Sequence, residues 1–205
     1  MAGAPTIVSV CGSLGAGSAN RDALDVAAGR LRTTGVVHDV PHVAIAAVPM
    51  FDPAAVDDPP PAVAELRAVL EAADGVLIAA PEYAGGLAGG IKNTLDWLVG
   101  SGSLYHRPVA VLSAGTTGGG FAIEQLVRTL SWQGALTVAT LGIAAPATKM
   151  DGGRFTDPST LAGIEAWADR LATAISLPAP ALLARVREVV SPFGIDAVRF
   201  GLADQ

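Results

Sequence analysis

A short apolar run, then glycines, then a helical face constrains this chain more than any other stretch. Residues 75–80 read Gly-Val-Leu-Ile-Ala-Ala between Asp74 and Pro81. That length suits a buried parallel strand and is too short for a helix. Gly85, Gly86, Gly89 and Gly90 follow, and Ile91, Leu95 and Leu98 then recur at i, i+4, i+7. Strand, glycine-rich turn and helix in that order put backbone N–H groups at the carboxyl edge of a sheet, where ligands of open α/β folds bind. Tyr83 is the large amphipathic side chain in a turn of small residues, which marks it as a binding-site candidate.

The same pattern recurs along the chain. Thr6–Cys11 is β-branched and apolar, a strand. After Gly12 and the turn through Asn20, the residues Leu24, Ala27, Ala28 and Leu31 predict a helix starting near Ser18–Asn20, where Ser and Asn are good caps. Gly35 ends that helix, and Val36–Val40 reads as a second strand. Pro41–Pro61 reads as a long connection over the ligand edge, and Val63, Leu66 and Leu70 give the next helix. Pro108–Ser113 is a fourth strand, opening into Ala114–Gly120, with a helix through Ile123, Leu126, Val127 and Leu130. Ala135–Leu141 is a fifth strand. Pro146–Pro158 reads as a polar loop, and Leu161, Ile164, Ala168, Leu171 and Ile175 face the core from a last helix.

Five strands alternating with five helices predict an α/β fold, a doubly wound parallel sheet with right-handed crossovers. Residues 1–177 are read as that domain. Residues 178–205 are read as a C-terminal helical extension, its Leu182, Leu183, Val186, Val189 and Val190 face packing on the domain or on a partner subunit.

With 205 residues, 51% of them hydrophobic, one domain can bury an adequate core without cross-links. The net charge of −6 and the lack of a basic stripe argue against a nucleic-acid partner. Cys11 alone cannot form an intrachain disulfide and fits a reducing, cytoplasmic setting. The first residues read as a strand rather than a secretory leader, and no apolar run approaches the ~18–20 residues of a membrane span.

Three glycine-rich turns follow the first, third and fourth strands, and the first is the phosphate candidate. Gly12 and Ser13 can turn N–H groups inward, and Ser18 and Asn20 add side-chain donors at a helix N-terminus. Glycines at 12, 15 and 17 do not make G-x-G-x-x-G, and no Gly-Lys-Ser/Thr follows as in a P-loop. Donors without a lysine suit a terminal phosphate monoester; a capped turn with no ligand is the residue-level alternative. Metal binding is not expected, because His38, His42 and His106 are scattered. Ser13 and Ser113 lie in no Gly-x-Ser-x-Gly elbow. Cys11 reads as a small buried hydrophobe, Lys92 and Asp96 as an i, i+4 pair, and Trp97 and Trp132 as core or interface residues.

The segment GSLGAGSAN-R resembles the phosphate loop of the NADPH-dependent FMN reductases, a flavodoxin-like group that includes quinone and chromate reductases. PEYAGGLAGGIKNTLDWL is similar to that family's second signature, and the resemblance covers roughly the first 175 residues. It implies a flavodoxin-like sheet of order 2-1-3-4-5, bound FMN, NAD(P)H as reductant, and homodimers or homotetramers. It puts Gly12, Ser13, Ser18 and Asn20 at the FMN phosphate. Pro81, Glu82, Tyr83 and the Ala84–Gly85 backbone then line the isoalloxazine ring, and Ser113, Gly115, Gly118 and Gly119 close its other side. It associates the Lys92–Trp97 helix with the subunit interface.

Two positions depart from the family pattern, Gly15 in place of arginine and Ala84 in place of asparagine. A lost charge-assisted hydrogen bond, ~1.5–3 kcal/mol, predicts FMN binding weaker by about tenfold or more. No catalytic acid–base pair is expected, because the flavin carries the chemistry. The function expected is hydride transfer from NAD(P)H through FMN to a small acceptor such as a quinone or free flavin. The rivals are a flavodoxin-like electron carrier, which would sandwich its flavin between aromatics where these loops offer only Tyr83, and an FMN-free interaction module.

Overall fold

The computed structural model describes residues 4–37 and 40–196. The apolar runs and the 3.6-periodic stretches alternate in the order β1 (Ile7–Cys11), α1 (Ala19–Thr33), β2 (His42–Val43), α2 (Pro61–Glu71) and β3 (Gly75–Ala79). Then come a two-stranded hairpin, β4 (Glu82–Tyr83) and β5 (Gly86–Leu87), α3 (Gly89–Asp96), β6 (Pro108–Gly115), α4 (Gly120–Trp132) and β7 (Leu136–Ala144). A second hairpin, β8 (Met150–Asp151) and β9 (Arg154–Phe155), precedes α5 (Pro158–Ile175) and α6 (Ala179–Val190).

The central sheet is parallel throughout, with order β2-β1-β3-β6-β7, the flavodoxin-like 2-1-3-4-5 arrangement. Every residue of β1 and β3 is buried, because helices cover both faces. On one face α1 packs beside α5, so closely to the sheet that a Cβ on Gly75 would come within 2.8 Å of Ile175 Cδ1. On the other, Leu66 and Leu70 of α2 and Ile91 and Leu95 of α3 meet Val10, Val76 and Ile78. Trp167 of α5 is buried and donates its indole N–H to Val111 O at 3.1 Å. Leu183, Val186 and Val190 of α6 are buried, and that helix packs along the edge strand β7.

The second strand departs from the sequence reading. The pairing falls at Ser9↔His42 and Val10↔Val43, and none of the described residues of Val36–Val40 joins it. Ser9 N–H donates to Pro41 O at 2.9 Å, so the ladder begins only as the chain passes Pro41. Val37 and Val40 are buried, which explains why the stretch looks strand-like, whereas His38 and Asp39 lie outside the described residues. The long connection after β2 is anchored on α3. Asn93 accepts from Phe51 N–H and donates to Pro49 O, both at 2.8 Å, and Trp97 donates to Pro49 O at 2.8 Å. These bonds lay Pro49–Phe51 along the flank of α3.

Asp157 caps α5. It accepts from Thr160 N–H at 2.8 Å, from Thr160 Oγ1 at 2.7 Å and from Ser159 Oγ at 2.5 Å. Bonds from Ser159 and then Thr160 to the ionised carboxylate lower its pKa to about 2. A depressed folded-state pKa adds stability above the ordinary carboxylate value that is lost as pH falls through the folded one. Asp157→Ala is therefore expected to lower the melting temperature near neutral pH, with the deficit shrinking between about pH 4 and pH 2; thermal unfolding across that range measures it.

Candidate functional site

Parallel strands deliver the loops after β1, β3 and β6 to one edge, on either side of the point where strand order reverses. Glycine at 12 is required by a close approach. A Cβ there would sit 2.8 Å from Ala80 Cβ and 3.0 Å from Ile91 Cβ, so the first loop leans directly on the exit of β3 and on α3. The Gly12 amide is already committed, donating to Ala79 O at 2.7 Å. Gly12 thus shapes the loop instead of offering a donor. Beyond it, residues 14–17 are exposed, and the Gly15 amide points back to Ser13 Oγ at 3.4 Å.

The start of α1 supplies the donors. Ser18 is the N-cap, yet its hydroxyl makes no capping bond. The amides of Ala19, Asn20 and Arg21, orphans of the first helical turn, meet no acceptor among the described residues. Arg21 Nη1 is shielded from solvent and has no partner either. Three amides and a hydroxyl at the positive end of a helix form a cradle that fits a phosphate.

Asn20 departs from its expected role. Its side chain is buried, donates Nδ2–H to Ala114 O at 3.0 Å and accepts Ala114 N–H on Oδ1 at 2.9 Å. The amide is a strap between the first and third loops, and only its backbone N–H still faces the cradle.

Glu82 is likewise redirected. Its carboxylate accepts from Phe121 N–H at 2.9 Å, Ala122 N–H at 3.3 Å and Thr117 Oγ1 at 3.4 Å. Gly119, the α4 N-cap, has no side chain to cap with, so Glu82 reaches across from β4 to do it. Pro81 is buried, and Tyr83, 63% exposed, projects from the hairpin. Ala84 (φ 52°) and Gly85 (φ 71°) form its two-residue turn, both in the left-handed region that such hairpins need.

The third loop closes tightly. Gly118 N–H donates to Gly115 O at 3.0 Å, and Gly118 and Gly119 take φ values of 93° and 69°. Gly119 lies over Ser113, and a Cβ at 119 would overlap that side chain. Ser113 is fully buried there, its hydroxyl unpartnered among the described residues. Gly115 approaches Glu82, a would-be Cβ lying 4.0 Å from Glu82 Cβ. The three loops are therefore strapped to one another by Asn20–Ala114 and by Glu82 with the start of α4.

Two residues at this edge escaped the sequence reading. Gln125 of α4 accepts Leu87 N–H at 2.8 Å, and Phe121, 60% exposed, lies beside Gly85. A polar and an aromatic residue in an amphipathic helix carry no local mark of this position. Phe121 is thus a second exposed aromatic on this edge, next to the hairpin turn.

Other chemistry is poorly supplied. Ser9 Oγ bonds His42 Nδ1, and His42 Nε2 meets Asp25 at 2.9 Å, the atom set of a hydrolytic triad. Ser9 is completely buried within β1, so no acyl substrate reaches it. Asp25 also faces Arg154 at 3.4 Å, while Asp22, buried, holds Arg154 at 2.9 Å and Phe155 N–H at 2.7 Å. That network clamps the β8–β9 hairpin onto α1. Burial pushes the Cys11 thiol pKa up, against thiolate chemistry. Among the described residues no three His, Cys, Asp or Glu side chains gather as metal ligands. No described helix is long and apolar enough to cross a membrane.

Comparison with known proteins identifies the family and agrees with the fold. The model of the NADPH-dependent FMN reductase family matches residues 5–149, and the chain belongs to that family. An NAD(P)H-dependent FMN reductase of Pseudomonas aeruginosa is 35% identical over 133 residues, 60% of this chain and 68% of that protein. An NAD(P)H:quinone oxidoreductase of Solanum tuberosum is 33% identical over 126 residues, 59% of this chain and 63% of that protein. The FerB flavoenzyme NAD(P)H:(acceptor) oxidoreductase of Paracoccus denitrificans superposes with a TM-score of 0.68 at 25% identity, over 83% of this chain and 97% of that one. The matched stretch spans between 32% and 68% of the length of the curated relatives.

The hairpin turn generates a prediction. A non-glycine residue in the left-handed region costs roughly 1 kcal/mol, less for asparagine. Replacing Ala84 with Gly or Asn, Ala84→Gly or Ala84→Asn, is expected to raise the melting temperature by about 2–4 °C, read by thermal unfolding.

Proposed function

We propose that this member of the NADPH-dependent FMN reductase family is an FMN-dependent NAD(P)H oxidoreductase that reduces a small acceptor such as a quinone or free flavin. The observation that carries the reading is the cradle at the start of α1, in which the Ala19, Asn20 and Arg21 amides and the Ser18 hydroxyl meet no acceptor among the described residues. It opens on the edge where the other two loops are strapped together.

In this reading the cradle, with Ser13, holds the FMN phosphate, and Gly12 and the Asn20 side chain set its shape. The Pro81–Gly85 segment lines the ring, with Tyr83 as a wall. Ser113, Gly115, Gly118 and Gly119 close the opposite side, and backbone N–H groups of that loop stabilise negative charge on the ring's polar edge. When bound, FMN supplies the redox chemistry, accepting hydride from NAD(P)H and passing electrons to the acceptor. The chain contributes binding, orientation and exclusion of water.

A cytoplasmic setting is part of the proposal, supported by the lone, buried Cys11. So is a homodimer or homotetramer, supported by exposed Tyr83, Phe121 and Trp132. The unit of residues 1–177 and an extension from 178 remain the proposed division of the chain.

Titration of cofactor-free protein with FMN, read by flavin fluorescence quenching, is expected to give a Kd of about micromolar or tighter. No quenching at tens of micromolar sinks the reading. With FMN bound, NAD(P)H oxidation should depend on added quinone; flavin reduced by no pyridine nucleotide would favour an electron carrier. The arginine absent at position 15 is a separable test. Gly15 is exposed, and a Cβ there would meet only Ser13 Oγ, at an ordinary 3.8 Å. Gly15→Arg is expected to tighten FMN about tenfold, an effect that shrinks with added salt, in the same titration.

A further inference from the structure

We propose that Gln125, a residue of α4 outside all three loops, is a positioning residue for the flavin-facing hairpin, acting with Glu82 as a two-point bracket. The inference rests on the flavin reading above. The β4–β5 hairpin has two residues per strand, paired as Glu82↔Leu87 and Tyr83↔Gly86, and a hairpin of that size has almost no stability of its own. Its turn also holds Ala84 in a conformation that alanine resists. Something outside the hairpin must hold it, and that partner is α4.

Two contacts of opposite sense do so. Glu82, on β4, reaches the backbone amides of Phe121 and Ala122 in the first turn of α4. Gln125, on α4, accepts the backbone amide of Leu87, on β5, at 2.8 Å. Its Nε2 lies along Gly86, where a Cβ would come within 3.4 Å. The Phe121 side chain, beside Gly85, and the Gln125 side chain are one helical turn apart, so the hairpin lies along one face of α4. One strand of the hairpin is thus gripped at each end of that turn, and Tyr83, Ala84 and Gly85 are carried between the grips. The Gln125 contact is exposed, so water replaces the lost bond in global stability while the hairpin loses its register on the helix. An unfixed hairpin must be ordered when the ligand binds, and that cost appears as weaker affinity.

Gln125→Met, which keeps length and packing without the oxygen acceptor, and Gln125→Glu, which keeps the acceptor, test this in the full chain. The probes are FMN titration, the melting temperature without FMN, and amide exchange at Leu87. Gln125→Met is expected to raise the FMN Kd about tenfold and to speed Leu87 exchange, with the melting temperature within about 2 °C of wild type. Gln125→Glu is expected to stay within about twofold of wild-type affinity. Wild-type affinity in Gln125→Met overturns the proposal. So does a fall of more than about 5 °C in both variants alongside lost FMN binding, which marks a general structural role. Failure of wild type itself to quench flavin sinks the flavin reading instead, and is seen before any substitution is made.

Discussion

The Asn20 side chain is the interaction on which the geometry of the candidate site depends. It joins the first turn of α1 to the end of β6 through both main-chain groups of Ala114, a residue 94 positions away. Both partners are buried, so neither bond is exchanged for water without cost, and losing the amide would leave an unsatisfied donor and acceptor behind. The strap holds the uncommitted amides of Ala19, Asn20 and Arg21 at a set distance from the third loop. Gly12, wedged against Ala80, sets the distance to the second. Glu82 then ties the second loop to the third. A cradle open to solvent is thus kept in shape by contacts that are mostly not themselves exposed.

That arrangement explains which parts of the fold can be read from sequence. The core strands declare themselves because parallel strands covered on both faces are continuous apolar runs, as in Gly75–Ala80 and Pro108–Ser113. The helices declare themselves by period. The edge strand β2 does not, because only two of its residues pair and the more apolar Val36–Val40 lies just before them. The hairpins at 82–87 and 150–155 have two-residue strands, too short for any period to show. Asp157, read only as part of a polar loop, caps α5, and its place before a proline and a helical face is the local signal that could have shown it.

For the site, residue types and glycine spacing located the three loops, but not which atoms in them are free. Asn20 looked like a ligand donor because asparagine at a helix start follows a local rule, and nothing local reveals Ala114. Glu82 was put at the ring by the family resemblance alone, yet α4 begins with Gly119 and Gly120 and needs an acceptor from elsewhere. Both departures have one cause. A polar side chain near a binding loop is claimed by whatever orphan backbone group the fold brings closest, and that choice is made by tertiary contacts.

The two departures from the family pattern are physically different. Gly15 sits in relaxed, exposed backbone, so what is missing there is a charge and nothing else. Ala84 sits at φ 52°, where asparagine is tolerated better than alanine whatever its amide touches. The turn geometry by itself favours asparagine over alanine at this position. Alanine in its place leaves the hairpin turn strained. A strained hairpin bracketed by Glu82 and Gln125 is still held in place, and a held loop is already ordered when the ligand arrives. Preorganisation of this kind lets a site bind an anion through neutral amides and helix polarity, because the entropy not lost on binding offsets part of the charge–charge attraction that a cation would add.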